Sequence, residues 1–283
     1  MGFNKIAVLL TCHNRKEKTV QCLKTLYLNK IPEGYAFEVF LVDDGSIDGT
    51  SVAIKEHFPQ VTIIKGNGTL FWNQGMRLAW ETAAKTKDFD FYLWLNDDTM
   101  LENTSLNHIL ECNNEIISVT DKPAIITGAC KASLKSNTFS YGGRTEKGAV
   151  IPNGTLQKCT YINGNFVLVP KIIFKVLGNL ASEYTHGMGD YDYGLRAIKQ
   201  GFNCYTTKEY IAVCAPNLGV PGWCNPKNSL KKRWALLHSP LGLNIKEYTI
   251  FRRKFWGAKW VVFALKAYVK SIVPTFYAKI SNN

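Results

Sequence analysis

No stretch of the chain reaches the ~18 uncharged apolar residues that a membrane-spanning helix requires. Met1-Gly2-Phe3-Asn4-Lys5 leads straight into an apolar strand and carries none of the marks of a signal peptide, so a cytosolic protein is expected. The eight cysteines (Cys12, Cys22, Cys112, Cys130, Cys159, Cys204, Cys214 and Cys224) include no Cys-x-x-Cys pair, which argues against structural zinc and for reduced thiols. Acid is nearly missing from one end. Residues 227 to 283 hold twelve Lys and Arg but a single carboxylate, Glu247, a net +11 of the whole chain's +12. Residues 1 to 226 are left with 22 basic against 21 acidic side chains. A basic segment on a balanced body predicts a surface that meets something anionic, membrane lipid or nucleic acid, and does not bear on the fold.

What is present is a series of apolar runs that end in polar loops. Ile6-Ala7-Val8-Leu9-Leu10 reads as a central strand feeding Thr11-Cys12-His13-Asn14-Arg15. From Lys18 to Asn29, Val20, Leu23, Leu26 and Tyr27 recur at three- and four-residue spacing and predict a helix with one buried face. Phe37 to Val42 is a second strand, cut off by Asp43-Asp44-Gly45-Ser46, with a helix over Ser51 to His57 to follow. Strand, helix and strand within about forty residues predict a right-handed βαβ unit of a parallel sheet. A third strand, Val61 to Ile64, opens onto Gly66-Asn67-Gly68 and then a helix through Ala84. A fourth, Tyr92 to Leu95, ends in Asn96-Asp97-Asp98-Thr99. Taken alone, Asp97 and Asp98 read equally as the cap of a helix over Thr99 to Glu111, and Asp43 and Asp44 as turn residues. Together they matter more, because the ends of these strands bring Thr11 to Arg15, Asp43/Asp44 and Asp97/Asp98 to one side of one sheet, where ligands of open α/β sheets gather.

Farther on, Pro123 to Gly128 is another strand, and Thr138 to Val150 reads as a glycine-containing hairpin. Tyr161 to Pro170 reads as a strand whose polar start, Asn163 and Asn165, lines a pocket or forms a turn. A helix after the glycine-rich loop at His186 runs to Gln200, with Gly201 as its stop, and Asp192 stands four residues before Arg196, as an ion pair requires. His186 reads equally as a functional and as an exposed loop residue. Ala215 to Asn228, rich in Pro and Gly, is an irregular loop of the kind that orders over a bound ligand.

The chain closely resembles the family 2 nucleotide-sugar glycosyltransferases, which have the GT-A fold. The resemblance rests on Leu10-Thr11-Cys12-His13-Asn14-Arg15, Val42-Asp43-Asp44-Gly45-Ser46, Gly66-Asn67-Gly68 with Trp72-Asn73-Gln74-Gly75, and Leu95-Asn96-Asp97-Asp98-Thr99. It extends to Gly189-Asp190-Tyr191-Asp192-Tyr193-Gly194-Leu195-Arg196, so that it covers roughly residues 5 to 210. It implies an α/β fold with a Rossmann-like, mostly parallel central sheet flanked by helices. The catalytic domain would occupy residues 1–226, with a nucleotide-binding half over about 1–100 and an acceptor-binding half over about 101–226, and a basic amphipathic helical extension would follow over 227–283.

The same resemblance implies roles. Thr11, His13, Arg15, Asp43, Asp44, Asn67, Asn73 and Asp97 would bind the nucleotide of a nucleotide-sugar donor, with His13 where the family often sets an aromatic ring against the base. Asp98 would coordinate a divalent metal, Mg²⁺ or Mn²⁺, because a departing diphosphate needs a hard cation held on oxygen ligands. The family's Asp-x-Asp motif has Asn96 at its first position here. A further metal ligand, frequently His, is often found downstream in the family, but the nearest histidine, His238, does not align. Asp190 would be the general base, its neighbour Gly189 standing where the family prefers Glu. Trp72, Asn163, Asn165 and His186 are candidates for the acceptor or sugar pocket. The implied reaction is inverting transfer of a sugar to a hydroxyl of a lipid-linked glycan in bacterial cell-surface polysaccharide synthesis. A loop from Gly66 to Arg77 similar to the rhamnosyltransferase-like branch points to dTDP-rhamnose, with UDP-hexoses as the other donors.

Within the basic segment, Lys259, Lys266 and Lys270 form one stripe of a helix whose other positions are apolar or aromatic. Such a helix lies on an anionic membrane surface, which would place the protein at the inner face of the cell membrane, or it packs on the domain with its lysines solvated. Nucleic acid is not expected as a partner, since no nucleic-acid module accompanies the basic residues. The oligomeric state is unknown from sequence. Thr11 to Arg15 lacks the glycine that a nucleotidyltransferase would place after its first strand. Asn96 and Gly189 leave a non-catalytic, membrane-docked subunit as an alternative.

Overall fold

The computed structural model describes residues 3–217 and 219–275, so residues 276–283 of the basic segment lie outside it. The chain divides into two compact units, Met1–Ala181 with Asp190–Pro216, and Ser182–Gly189 with Asn217–Asn283.

The first unit opens with β1 (Asn4–Cys12), α1 (Lys16–Tyr27), β2 (Tyr35–Asp43), α2 (Thr50–His57), β3 (Thr62–Lys65), α3 (Phe71–Thr86) and β4 (Phe91–Leu95). It continues through β5 (Met100–Leu101), α4 (Ser105–Thr120), β6 (Ala124–Ser133), β7 (Ser136–Tyr141), the ribbon of β8 (Arg144–Thr145) and β9 (Gly148–Ala149), and β10 (Gln157–Cys159). β11 (Phe166–Pro170), α5 (Lys171–Leu177), α6 (Gly189–Lys199) and β12 (Asn203–Val213) follow. The main sheet runs β10-β12-β6-β11-β4-β1-β2-β3. β4, β1, β2 and β3 are mutually parallel, as the βαβ reading requires, while β11 enters antiparallel between β4 and β6. The expected α/β architecture, a mostly parallel sheet flanked by helices, is what the chain adopts.

Both faces of the sheet are covered, which is why its central strands are apolar throughout. In β1, Ile6, Val8 and Leu10 join the core cluster that includes Leu23 and Leu26 of α1 and Ile109 of α4. Ala7 and Leu9 join the opposite cluster with Met76, Ala79 and Trp80 of α3. β4 divides the same way, Leu93 and Leu95 to one side and Tyr92 and Trp94 to the other. Trp80 is fully buried and packs 4.9 Å from Phe174 and 5.5 Å from Trp94, centroid to centroid.

Some boundaries differ from the sequence expectation. No helix begins at Thr99: Met100 and Leu101 form β5 against Val213 and Ala212 of β12, and α4 starts only at Ser105. Asp97 and Asp98 therefore cap no helix. The expected hairpin over Thr138 to Val150 is divided, because Phe139 and Tyr141 of β7 pair with β6 and only Arg144 to Ala149 turn back on themselves. Tyr161 bridges to Arg144, and residues 162–165 form a loop that turns at 164–165 ahead of β11, whose pairing with β4 begins at Phe166. All eight cysteines are buried and free.

The second unit contains α7 (Leu230–Leu237), α8 (Ile245–Trp256) and α9 (Trp260–Ile272) around Leu237, Ile245 and Ala267, with Trp223, Leu243, Tyr248 and Tyr268 packed against them. Buried Arg233 donates to the Ser271 carbonyl at 2.6 Å and the Ile272 carbonyl at 3.2 Å, satisfying acceptors left open at the end of α9. The Arg252 guanidinium lies 4.5 Å from the Trp256 ring centroid and 4.2 Å from that of Phe263, tying α8 to α9. α9 buries its small residues, Ala264, Ala267 and Ser271, and leaves Val261, Val262, Leu265, Val269 and Ile272 between 43% and 59% exposed. Among the described residues no helix is long and apolar enough to cross a membrane.

Candidate active site

The β1–β2 register sets Cys12 beside Asp43, so the loops that leave the parallel strands start level with one another. They are laced together. His13 is exposed, and its Nδ1 lies 2.6 Å from the Asp44 carbonyl oxygen. Asn14, at φ 50°, accepts the Ile47 amide at 2.8 Å and donates its own N–H to Ser46 Oγ at 2.9 Å. Asp43 is buried and accepts the Ser46 amide at 2.9 Å and the Ser51 hydroxyl.

Asp44 builds the glycine loop. Its Oδ1 accepts from Gly68 N at 2.8 Å, and its Oδ2 from Leu70 N at 2.9 Å and Phe71 N at 3.0 Å. These bonds hold Phe71 at φ 53°, a conformation few bulky residues adopt. A Cβ on Gly66 would lie 2.6 Å from Asp44 Oδ1 and 2.7 Å from its Cα, so the loop approaches this closely only with glycine there. Asn67 stays exposed at the tip, its Oδ1 accepting the Thr69 amide at 2.9 Å.

The Trp72 to Gly75 motif faces inward for the most part. Asn73 is fully buried in α3 and donates to the Ala181 carbonyl at 2.9 Å. A Cβ on Gly75 would stand 2.2 Å from Thr11 Oγ1, so α3 rests directly on Thr11. Trp72 lies against Gly164, where a Cβ would come within 2.3 Å of its ring, and its Nε1 donates to Asn96 Oδ1 at 2.6 Å.

Asn96 joins the strand end to the turn before β11. Its backbone N–H donates to the Asn165 carbonyl at 2.9 Å, and its Nδ2 to Asn165 Oδ1 at 3.1 Å. Buried Asn165 in turn donates to Thr99 Oγ1 at 3.2 Å and Cys214 Sγ at 3.0 Å. Asn163 accepts the Asn165 amide at 3.3 Å and shapes the same turn. An amide at position 96 accepts from Trp72 and donates to Asn165 at once, which an ionised Asp does not.

The two acids that follow differ in exposure. Asp97 is 5% exposed and Asp98 28%, and the Arg15 guanidinium bridges them, Nη1 to Asp97 Oδ1 at 3.0 Å and Nη2 to Asp98 Oδ2 at 2.6 Å. Burial pushes the Asp97 carboxyl up to about 7; Arg15 opposes the shift and the Asp98 charge adds to it. Among the described residues no group of three His, Cys, Asp or Glu side chains is placed to hold a metal ion. One or two hard carboxylates with the remaining ligands from a diphosphate is nevertheless the ordinary donor set for Mg²⁺, and Asp98 fits it. His238 makes its bonds inside the second unit, its Nδ1 lying 2.9 Å from the Trp234 carbonyl oxygen.

Asp190 stands in the first turn of α6. Its Oδ1 accepts the Tyr191 amide at 2.8 Å and its Oδ2 the Gly164 amide at 3.0 Å. Burial raises its carboxyl to about 6 against the pull of those amides. Asp192 is fully buried and pairs with Arg196 Nε at 2.6 Å, while the rest of the guanidinium donates to the Leu177 and Asn179 carbonyls at 2.8 and 3.0 Å. This pair is structural. His186 belongs to the second unit and is exposed. Glu247 anchors that segment by accepting the Thr185 amide at 2.9 Å and its hydroxyl at 2.6 Å.

The structure thus brings Trp72, Asn96, Asn163, Asn165 and Asp190 together through Gly164, and Arg15 onto Asp97 and Asp98. Sequence reasoning missed the Gly164 amide and the Cys214 thiol, since a backbone donor and an isolated cysteine leave no pattern. It had noticed Asn96 only as a departure.

Residues 7–115 match the family model of glycosyl transferase family 2. This domain supports a glycosyltransferase. No curated protein matches the chain. Among solved structures, the mannosyltransferase PcManGT from Pyrobaculum calidifontis, in complex with GDP-Man and Mn²⁺, aligns over 100% of this chain and 81% of its own with TM-score 0.55 at 13% identity. S. aureus TarS 1-349, in complex with UDP-GlcNAc, aligns over 94% of this chain and 79% of its own with TM-score 0.56 at 11% identity. At such identities the likeness is one of fold, and that fold is GT-A.

Proposed function

We propose that the chain is an inverting, metal-assisted glycosyltransferase that moves a sugar from a nucleoside diphosphate to a hydroxyl of a lipid-linked glycan. The observation that carries the reading is Asp190, a carboxylate held by two amides and raised to about 6, beside the turn that joins it to the Asn96-Asp97-Asp98 strand end. Ionised, Asp190 takes the acceptor hydroxyl's proton as the oxygen attacks the anomeric carbon from the face opposite the diphosphate. His13, Asp43, Asn67 and Thr11 frame the nucleotide over about 1–100, with Asp44 acting through the loop it builds, and residues 101–226 frame the acceptor. Trp72 and Asn163 border the sugar. Asp98 would hold Mg²⁺ or Mn²⁺, which neutralises the charge that develops on the leaving diphosphate. The donor proposed is dTDP-rhamnose or a UDP-hexose. A panel of these nucleotide sugars, with GDP-mannose, tested for Mg²⁺- or Mn²⁺-dependent hydrolysis or transfer, checks the reading. Turnover of none of them, with no binding of the corresponding diphosphates, overturns it.

The acceptor's lipid is read from α9. Helices of water-soluble units turn aliphatic residues inward, but α9 turns Ala264, Ala267 and Ser271 inward and Val261, Val262, Leu265, Val269 and Ile272 outward, with exposed Lys259 and Lys266 along one flank. An outward aliphatic face edged by lysines, in a segment of net +11, is complementary to an anionic bilayer and to the inner face of the cell membrane. The chain is expected to pellet with phosphatidylglycerol vesicles. Val262→Glu with Leu265→Glu, at positions already exposed, should abolish pelleting without changing Tm. Undiminished pelleting of this variant would remove the α9 face from the reading, and a wild-type chain that does not pellet would remove the membrane.

A further inference from the structure

Arg15 was expected on the nucleotide, but its guanidinium bonds to both acids of the metal motif. The loop that carries it is fixed, because His13 is tied to Asp44 and Asn14 to Ser46 and Ile47, yet the Arg15 side chain itself is 37% exposed. Its two bonds are unequal in setting. Asp97 is buried and also lies 3.4 Å from Thr19 Oγ1, whereas Asp98 is 28% exposed and, besides Arg15, lies near the weak donor Cys214 Sγ at 3.8 Å. The Asp98 bond is therefore the one that opens toward solvent. Adjacent carboxylates at one strand end repel each other, and Arg15 supplies the positive charge between them. A guanidinium also matches the paired oxygens of a diphosphate as well as it matches carboxylates.

We propose, resting on the glycosyltransferase reading, that Arg15 is a resident counter-ion of the Asp97–Asp98 pair that releases Asp98 in exchange for the donor's diphosphate. Asp98 becomes available to a divalent cation only when a nucleoside diphosphate is there to receive Arg15. The site then takes metal and nucleotide together and binds neither firmly alone.

The test is direct binding, apart from turnover. Mn²⁺ is titrated alone, followed by electron paramagnetic resonance and calorimetry, into the wild-type chain, Arg15→Ala and Arg15→Lys; UDP, GDP and dTDP are then titrated with and without Mn²⁺. Arg15→Ala should bind Mn²⁺ alone about tenfold more tightly than wild type and lose about tenfold in affinity for the diphosphate. Arg15→Lys, which keeps the charge but not the two-point fork, should fall between them. Equal, weaker or unmeasurable binding of Mn²⁺ alone by a folded Arg15→Ala protein overturns the proposal, as does firm binding of Mn²⁺ alone by wild type. If no diphosphate binds wild type in any condition, the glycosyltransferase reading fails instead, and the arm with Mn²⁺ alone still decides the role of Arg15.

Discussion

Asp190→Asn is expected to lower kcat by about 10²- to 10⁴-fold, the usual worth of a positioned general base, while leaving nucleotide-sugar affinity close to wild type. The direction follows from its partners, since Asp190 is held by the Gly164 and Tyr191 amides, whereas His13 and Asp43 are bonded within the loops that leave β1 and β2. The wild-type pH profile supplies an independent readout. The carboxyl sits at about 6 because burial disfavours its charged form, so below that pH it is protonated and idle. kcat/KM should rise with pH through about 6 and level off above it, and the rising limb should be absent from whatever activity Asp190→Asn retains.

The same shift has a sign for stability. A carboxyl raised above its unfolded value favours the fold at low pH and works against it as pH climbs through the folded value. Asp190 therefore weakens the fold slightly above about 6, in the range where it becomes active. An Asn at 190 removes that charge but sets its amide group against one of two backbone N–H donors, Tyr191 or Gly164. A loss of about 1–3 kcal/mol is expected from the mismatch, visible as a lower Tm. Thermal unfolding separates this loss from catalysis, because the remaining folded protein still binds donor. Transfer at the wild-type rate by Asp190→Asn would remove Asp190 from the base role.

Most of the fold was legible because apolar periodicity reports directly on burial. Ile6 to Leu10, Phe37 to Val42 and Tyr92 to Leu95 are apolar throughout because they stand between two helical layers, and their parallel order follows from the connections. Boundaries set by pairing were less so. Nothing in Met100-Leu101 announces that two residues will join β12, and that short pairing is what moves α4 from Thr99 to Ser105. The motifs named residues that the structure brings into contact, but they did not divide the bonds among those side chains. Asp44, expected on the nucleotide, accepts three amides of the glycine loop; Asn73 shares a motif with Trp72, yet the helical turn that leaves one partly buried buries the other fully. Asn96 looked like a lost metal ligand. Its amide is required between Trp72 and Asn165, so the departure from Asp-x-Asp follows from a hydrogen-bond network that only three-dimensional proximity discloses.

Asp98→Ala carries the other large expected effect, and it should appear in binding before chemistry. On the proposed reading the Asp98 carboxylate, 28% exposed, is the hard oxygen ligand that the strand end offers, since Asp97 is buried and also lies against Thr19. Metal stabilisation of a leaving diphosphate is worth several kcal/mol, so its loss should reduce transfer by about 10²-fold or more. Mn²⁺ should no longer strengthen nucleoside diphosphate binding in this variant. The fold itself should tolerate the change, because deleting Asp98 removes a like charge that raises the Asp97 carboxyl and leaves the Arg15–Asp97 pair intact. Unchanged Tm together with metal-independent nucleotide binding is therefore the expected pattern. A variant that still binds diphosphate more tightly with Mn²⁺, as calorimetry would register, would place the cation on other ligands and return Asp98 to the role of a partner for Arg15 alone.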